Sequence, residues 1–148
     1  VGLGMARASI DELLKVAKEQ TPQGSSRTMA LRSSLHKDVA LADTNLRASR
    51  ALFYTTIRDT WAEVATRKSS LESRRALRTA TFHAVATAKD VTERMYTIAG
   101  GTSIFEDSPL QRNFRDVHVA AQHMMVGEPV MELAGRVMLG LDEIALGL

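Results

Sequence analysis

The stretch A-G-G-T-S-I-F-E-D-S-P-L-Q-R-N-F-R-D-V-H-V-A-A-Q-H, residues 99–123, decides how this chain folds. The 75 residues before Gly100, residues 25–99, contain no glycine and no proline. One helix of that length would extend roughly 110 Å at 1.5 Å per residue, so this segment must fold back on itself. The pair Gly100-Gly101 predicts the end of a helix, and Ser108-Pro109 predicts the start of the next. Because two histidines and paired charges follow directly, we expect the chemistry at this helix junction.

The composition bounds the class of protein and its partners. A chain of 148 residues, 45% hydrophobic and 24% charged, predicts one globular domain with its own core. Nineteen basic against 17 acidic residues give a net charge of only +2, which argues against a nucleic-acid partner. No apolar run approaches the ~18 residues of a membrane helix, so we predict no membrane partner. The absence of cysteine excludes thiolate chemistry and fits a cytoplasmic protein.

Apolar residues at steps of three and four predict helices along almost the whole chain. The predicted helices cover residues 3–20 and 27–67, the segment from the Ser69 cap to residue 99, and residues 109–125 and 130–139. A capping box of Ser69 with Glu72 is expected to start the third helix, after a fold-back at residues 66–70. No strand pattern appears. The predicted fold is all-α, an up-and-down four-helix bundle with a short fifth C-terminal helix. Since the chain begins without Met and in the middle of a predicted element, we expect it to be a piece of a longer protein.

The histidines give no pattern of metal ligands. On the predicted fourth helix Arg112, Asp116 and His123 share a polar face, while His118 lies at the edge of the apolar stripe. The i,i+5 spacing of these two histidines differs from the i,i+4 spacing of helical zinc pairs. A di-iron bundle needs Glu-x-x-His pairs, and no acid lies three residues before any of the four histidines. We therefore predict no metal site.

The residues alone leave structural interpretations open. Gly100-Gly101 is typical of a simple helix stop, and Arg115-Asp116 is typical of a structural ion pair. His123 is a candidate for proton transfer on the titration range of histidine alone. Five basic residues on either side of the predicted fold-back at residues 66–70 are expected to be solvated, namely Arg67, Lys68, Arg74, Arg75 and Arg78. On this evidence the chain is a helical bundle with a polar junction.

Residues 99–123 resemble the C-terminal helical domain of the acyl-CoA dehydrogenase superfamily, above all in the segment P-L-Q-R-N-F-R-D-V-H. The likeness is to the second type of this domain, found in two-component flavin-dependent hydroxylases, and covers essentially all 148 residues. It implies a subunit with an N-terminal helical domain, a middle β domain and this bundle, with FAD or FMN shared between domains or neighbouring subunits. It also implies that Gly100 and Gly101 approach the flavin, and that a homotetramer forms through the bundles.

The resemblance also bears on catalysis. Dehydrogenases of the main type often carry a glutamate base in an I-Y-E-G-T motif after the R-D pair. This chain has V-A-A-Q-H-M-M-V-G-E there, and His123 falls close to the place of the missing glutamate, as a histidine does in the hydroxylases. The implied role of His123 is catalytic, to hydrogen-bond near flavin C4a and N5 and assist proton transfer.

The resemblance therefore implies a monooxygenase that uses O2 and reduced flavin from a separate flavin reductase on a small aromatic or polycyclic substrate. One alternative is an acyl-CoA dehydrogenase that acts on the CH-CH group of an acyl thioester, with its base supplied elsewhere. A second alternative is a non-catalytic oligomerisation bundle, in which case the isolated domain is inactive.

Overall fold

The computed structural model describes residues 1–141, and every regular element in this range is helical. Five α-helices follow one another in these residues: α1 (Gly2–Glu19), α2 (Ser33–Val64), α3 (Leu71–Ala99), α4 (Pro109–Ala121) and α5 (Pro129–Met138). Short 3-10 helices at Met29–Leu31, Gly100–Ile104 and Met124–Val126 lie in the connections. The all-α prediction is confirmed. No helix within residues 1–141 has both the length and the apolar composition to cross a membrane.

Contacts between helices fix their directions in the bundle. α1 and α3 are parallel, since the N-terminal Gly2 lies against Ala88 and the C-terminal Gln20 lies against Thr102. α2 is antiparallel to both, and α4 returns antiparallel to α3. For α2 and α3, Glu63 lies against Ser70 while Asp38 pairs with Arg94 at 2.5 Å. For α3 and α4, Phe114 stacks on Tyr96 with centroids 4.5 Å apart, while Met125, just beyond α4, contacts Arg78. Asn113 Nδ2 of α4 also donates to Ser9 Oγ of α1 at 3.2 Å.

Small side chains let the helices approach closely. Eight of the eighteen buried hydrophobic residues in the described part of the chain are alanines. A Cβ atom built on Gly2 would lie 3.3 Å from the Cβ of Ala88, which is tighter than an ordinary contact between carbon atoms. The core is completed by larger buried side chains between α1, α3 and α4, among them Ile10, Leu13, Met95, Leu110 and Val117.

The connection from α1 to α2 closes back on α1. The sequence predicts α2 from residue 27, but the α-helix begins six residues later. The backbone N–H of Met29 donates to the carbonyl oxygen of Gln20 at 2.9 Å, and the Met29 side chain is buried. Docking of this side chain holds residues 29–31 in a short 3-10 turn, which periodicity alone does not reveal.

The α2–α3 turn forms at the predicted place but with a different cap. Ser70, not Ser69, is the N-cap of α3, and its Oγ accepts from Ser73 N at 3.1 Å. Glu63 of α2 selects this cap, because its carboxylate accepts from the N–H and hydroxyl of Ser70, both at 3.2 Å, and from the Ser73 hydroxyl. Glu72, the expected capping-box acid, binds Arg75 instead.

The Glu63 carboxylate therefore supports the turn in its charged form. The hydrogen bond from the Ser73 hydroxyl, helped by those from Ser70 and by the charge of Arg67 at 2.7 Å, lowers the pKa of Glu63 from its ordinary value. A lowered folded-state pKa means that this stabilisation is complete above the ordinary glutamate pKa. It is lost as the pH falls through the folded-state value.

α4 ends four residues earlier than predicted. The helix stops at Ala121, and His123 has extended backbone angles of φ −67° and ψ 130°. The predicted polar helical face of Arg112, Asp116 and His123 is therefore wrong, because His123 lies beyond the helix. α5 agrees with the prediction to within one residue at each end.

Candidate functional site

Gly100 ends α3 in a conformation that requires glycine. Its φ is +64° and its ψ is −141°, a region that is essentially closed to residues with a Cβ. The sequence correctly predicts the stop at Gly100, but the backbone is not the left-handed helical cap that usually ends helices. Gly101 has no positive φ. The two glycines thus differ, since the backbone requires only the first.

A cleft of about 410 Å³ lies between this glycine junction and the α1–α2 connection. Cβ atoms at Gly100 or Gly101 would have no heavy atom within 4 Å, so both glycines border open space. The α1–α2 side of the cleft, including Arg32, was missed by sequence reasoning, because only the fold brings it opposite Gly100. The lining residues are Gln20, Pro22, Gln23, Met29, Arg32, Ile98, Ala99, Gly100, Gly101, Thr102 and Phe105.

Alanine substitutions separate the two glycines. We expect Gly100→Ala to lower the free energy of unfolding by about 1–3 kcal/mol, because the positive φ strains any residue with a Cβ. Gly101→Ala is expected to leave stability unchanged within about 0.5 kcal/mol, since its Cβ meets nothing. Urea unfolding of both variants measures the difference. Equal losses would contradict the conformational distinction.

His123 is an exposed residue in the connection after α4. Its Nδ1 accepts a hydrogen bond of 3.2 Å from the backbone N–H of Met125, which caps the 3-10 helix Met124–Val126. A neutral imidazole that accepts at Nδ1 carries its proton on Nε2, so this bond assigns the tautomer. The ring is thereby fixed at one nitrogen and presents an N–H donor at the other.

His118 has the opposite arrangement and a structural environment. Its Nδ1 lies 2.7 Å from the carbonyl oxygen of Phe114, which only accepts, so Nδ1 carries the proton. Its ring packs on Phe114 with centroids 4.3 Å apart, and its Nε2 lies 3.9 Å from Glu93. These contacts hold His118 between α4 and α3, and they leave no comparable N–H donor for a ligand.

The structure does not bring the predicted site residues together. Gly100 and Gly101 precede α4, whereas His123 follows it. The 13 residues of α4 span about 18 Å at 1.5 Å per residue. Because α1 and α4 are antiparallel and linked at Ser9 and Asn113, His123 lies at the same end of the bundle as the N-terminus of α1. The predicted functional residues therefore lie on two separate surfaces, one at each end of α4.

The surroundings of His123 include α3. Met125 contacts Arg78 of α3, with Nη1 and Sδ 3.2 Å apart. Arg74, Arg75 and Arg78 are all half-buried, so the predicted solvated cluster is wrong for these three arginines. α5 and Met124–Val126 pack on α3, and Met125 covers part of Arg78.

Two further predictions concern ion pairs and metals. Arg115 and Asp116 are exposed, and neither forms an ion pair within the part of the chain that the structure describes. The predicted structural pair is therefore wrong, because the two side chains leave α4 on its solvent side. Residues 1–141 contain no group of three or more histidines or acids that would hold a metal ion.

Comparison with known proteins gives both family and relatives. The profile described as "Acyl-CoA dehydrogenase, C-terminal domain" matches residues 1–128. Indole-3-acetate monooxygenase of Pseudomonas putida is 34% identical over 141 residues, which is 95% of this chain and 36% of that protein. The enzyme of the same name from Acinetobacter baumannii is 32% identical over 142 residues, again 95% and 36%. The chain thus spans about a third of the length of these relatives.

Solved structures share the fold. XiaF from a Streptomyces species, in complex with FADH2 and glycerol, has a TM-score of 0.87 and 21% identity over 97% of this chain and 37% of its own. The 3-HSA hydroxylase of Rhodococcus sp. RHA1 has a TM-score of 0.83 and 22% identity, over 95% of this chain and 37% of its own. Butyryl-CoA dehydrogenase of Megasphaera elsdenii has a TM-score of 0.80 and 20% identity, over 93% of this chain and 34% of its own. The match over residues 1–128 confirms the resemblance, and the chain belongs to the family of acyl-CoA dehydrogenase C-terminal domains.

Proposed function

We propose that this chain is the C-terminal domain of a flavin-dependent monooxygenase that hydroxylates a small aromatic or polycyclic substrate. The observation that carries the proposal is His123, an exposed imidazole fixed at Nδ1 by Met125 N–H. By the resemblance, it falls close to the place where the dehydrogenases of the main type carry their glutamate. Two relatives at 34% and 32% identity are named indole-3-acetate monooxygenase, which supports the same reaction class.

The cofactor we propose is a flavin, FAD or FMN. A reduced flavin supplies the two electrons with which molecular oxygen is reduced. The cleft at Gly100 and Gly101 fits part of such a cofactor, since the absence of Cβ atoms leaves open space at its edge. Arg32 on the opposite side adds a positive charge suited to phosphate. Because Gly100 and His123 lie at opposite ends of α4, we propose that they contact different parts of one flavin or the flavins of two subunits. The sharing of the flavin with other domains or a neighbouring subunit is part of this proposal.

His123 acts in this proposal by holding or moving one proton at Nε2. The bond from Met125 N–H to Nδ1 keeps the neutral ring in one tautomer, so Nε2–H donates to a bound oxygen atom without prior rotation. An imidazole can also return a proton near neutral pH, whereas a carboxylate at this place would serve as the base for a thioester α-proton. No acid fills the place of the dehydrogenase glutamate, and this disfavours the dehydrogenase alternative.

We further propose that the whole protein has three domains and assembles as a homotetramer, with a separate flavin reductase as its partner. The coverage of about a third of each relative supports the first point. Exposed apolar side chains along α2 support assembly, among them Leu52, Tyr54, Trp61 and Val64, with Trp61 77% exposed. Analytical ultracentrifugation of the longer protein tests this assembly. A sample that sediments only as a monomer would contradict the proposed homotetramer.

The reaction class is tested on the longer protein that contains this domain. Supplied with chemically reduced flavin and O2, it is expected to convert an indole or phenol substrate to a product that carries one 18O atom from 18O2. Mass spectrometry measures the incorporation, and the oxidised flavin is the control. Anaerobic reduction of a bound flavin by an acyl-CoA, with no oxygen incorporation, would establish the dehydrogenase alternative instead.

A further inference from the structure

The guanidinium of Arg78 lacks a strong acceptor within residues 1–141. Its Nη1 donates to the thioether sulfur of Met125 at 3.2 Å, and no carboxylate of the described residues pairs with it. A thioether is a weak acceptor, whereas guanidinium carries a permanent charge and five N–H donors. The contrast with Arg75, one turn earlier on α3, is direct, because Arg75 is bound by two bonds to Glu72. Arg78 therefore has unused capacity for an anion.

Met125 links Arg78 to the proposed catalytic histidine. Its sulfur contacts the guanidinium, and its backbone N–H donates to His123 Nδ1. The cation and the imidazole thus share one neighbouring residue. Glu128, the first acid after Met125, is exposed and forms no ion pair with Arg78. The positive charge beside His123 is consequently not neutralised by the segment that packs there.

The same segment presents apolar surface. Met124 is 83% exposed and Met125 is 40% exposed. Methionine sulfur and methyl groups make favourable contacts with aromatic rings, and their flexible chains adapt to ring shape. A cation next to two accessible thioethers and an imidazole donor is complementary to a molecule with a carboxylate on a short arm of an aromatic ring.

We propose that Arg78 binds the carboxylate of an aromatic acid substrate and so selects acids over neutral aromatic compounds at the His123 site. This inference rests on the proposed function, since it names the substrate class of the same site. The planar fork of Arg78 pairs both carboxylate oxygens. Met124 and Met125 contact the ring, which leaves the ring close to His123.

Equilibrium binding to the longer protein tests the proposal, with indole-3-acetate and its uncharged amide, indole-3-acetamide, as probes. Arg78→Gln removes the charge and the fork. We expect the Kd of the acid to rise about 10- to 100-fold, since bonds between charged groups are the strong ones. The Kd of the amide is expected to stay within about twofold, which also shows that the variant is folded. Isothermal calorimetry measures both constants.

Two variants sharpen the result. Arg78→Lys keeps the charge but loses the planar fork, so it should recover part of the acid affinity. Arg75→Gln is the matched control, because it removes the same charge from the same helix at an arginine already bound to Glu72. Arg75→Gln is expected to bind the acid with the affinity of the unaltered protein.

Each outcome decides the inference. Unchanged acid binding in Arg78→Gln, equal affinity of the unaltered protein for acid and amide, or binding of neither probe would overturn it. Hydroxylation is scored separately with the same two compounds. Equal turnover of both overturns the selectivity and leaves the monooxygenase in place. Acid binding that depends on Arg78 without turnover of either compound overturns the proposed function and leaves the binding site.

Discussion

Replacing His123 by alanine is expected to lower the kcat of hydroxylation at least about 100-fold in the longer protein, the usual range for loss of a proton-transfer group. The reason is the fixed tautomer: alanine removes the Nε2–H donor that the Met125 N–H bond holds in place. We also expect a larger share of the electrons from reduced flavin to reduce O2 to hydrogen peroxide instead of forming hydroxylated product. Product analysis and a peroxide assay measure the two effects in the same reaction.

Two further variants separate chemistry from folding. His83→Ala is the matched control, because His83 is exposed on α3 and forms no polar side-chain contact with the described residues. Its turnover should equal that of the unaltered protein. His123→Gln retains an N–H donor without an imidazole, so partial activity indicates hydrogen bonding and inactivity indicates proton transfer. Full turnover and unchanged peroxide release in His123→Ala would refute the assigned role.

The second large effect concerns two adjacent leucines of α1. Leu13 is fully buried, whereas Leu14 is 38% exposed. We expect Leu13→Ala to lower the free energy of unfolding by about 2–5 kcal/mol, because it removes buried methyl groups and leaves a cavity. Leu14→Ala removes the same atoms from the edge of the bundle and should cost less than about 1.5 kcal/mol, since much of that surface already meets water.

Urea unfolding of the 148-residue chain, followed by helical circular dichroism, measures both variants. The two substitutions share residue type, helix and loss of helix-forming side chain, so propensity effects cancel. Similar losses for the two leucines would contradict the position of α1 in the core. A loss confined to Leu13→Ala would support the packing of α1 against α3 and α4.

The bundle was predictable because its determinants are local or periodic. The spacing of apolar residues predicts the helices. Their ends are marked by local signals, namely the turn at residues 66–70, Gly100 and Pro109. The end of α4 was not predictable from this pattern. Met124 and Met125 continue the helical spacing of the apolar face, while the backbone leaves the helix at His123 to form a side-chain cap.

The remaining differences arise from contacts distant in sequence. The choice of Ser70 as cap depends on Glu63, seven residues earlier on another helix. The environment of Arg78 depends on Met125, 47 residues later. The local cluster of basic residues therefore could not predict this contact. The cleft at Gly100 likewise needs the α1–α2 connection, about 80 residues earlier in the sequence. Local sequence specified the helices, and tertiary packing specified the surfaces.

The position of His123 after α4 has a consequence for sequence divergence within the family. Asn113 and Phe114 fix the middle of α4 against α1 and α3. One residue gained or lost after these contacts would turn His123 by about 100° around the helix axis and move it by about 1.5 Å. Substitutions at exposed positions such as Val119 are therefore compatible with the site, whereas insertions and deletions belong in the loop before Pro109. For the proposed role of His123, the number of residues in α4 therefore matters more than their identity on its outer side.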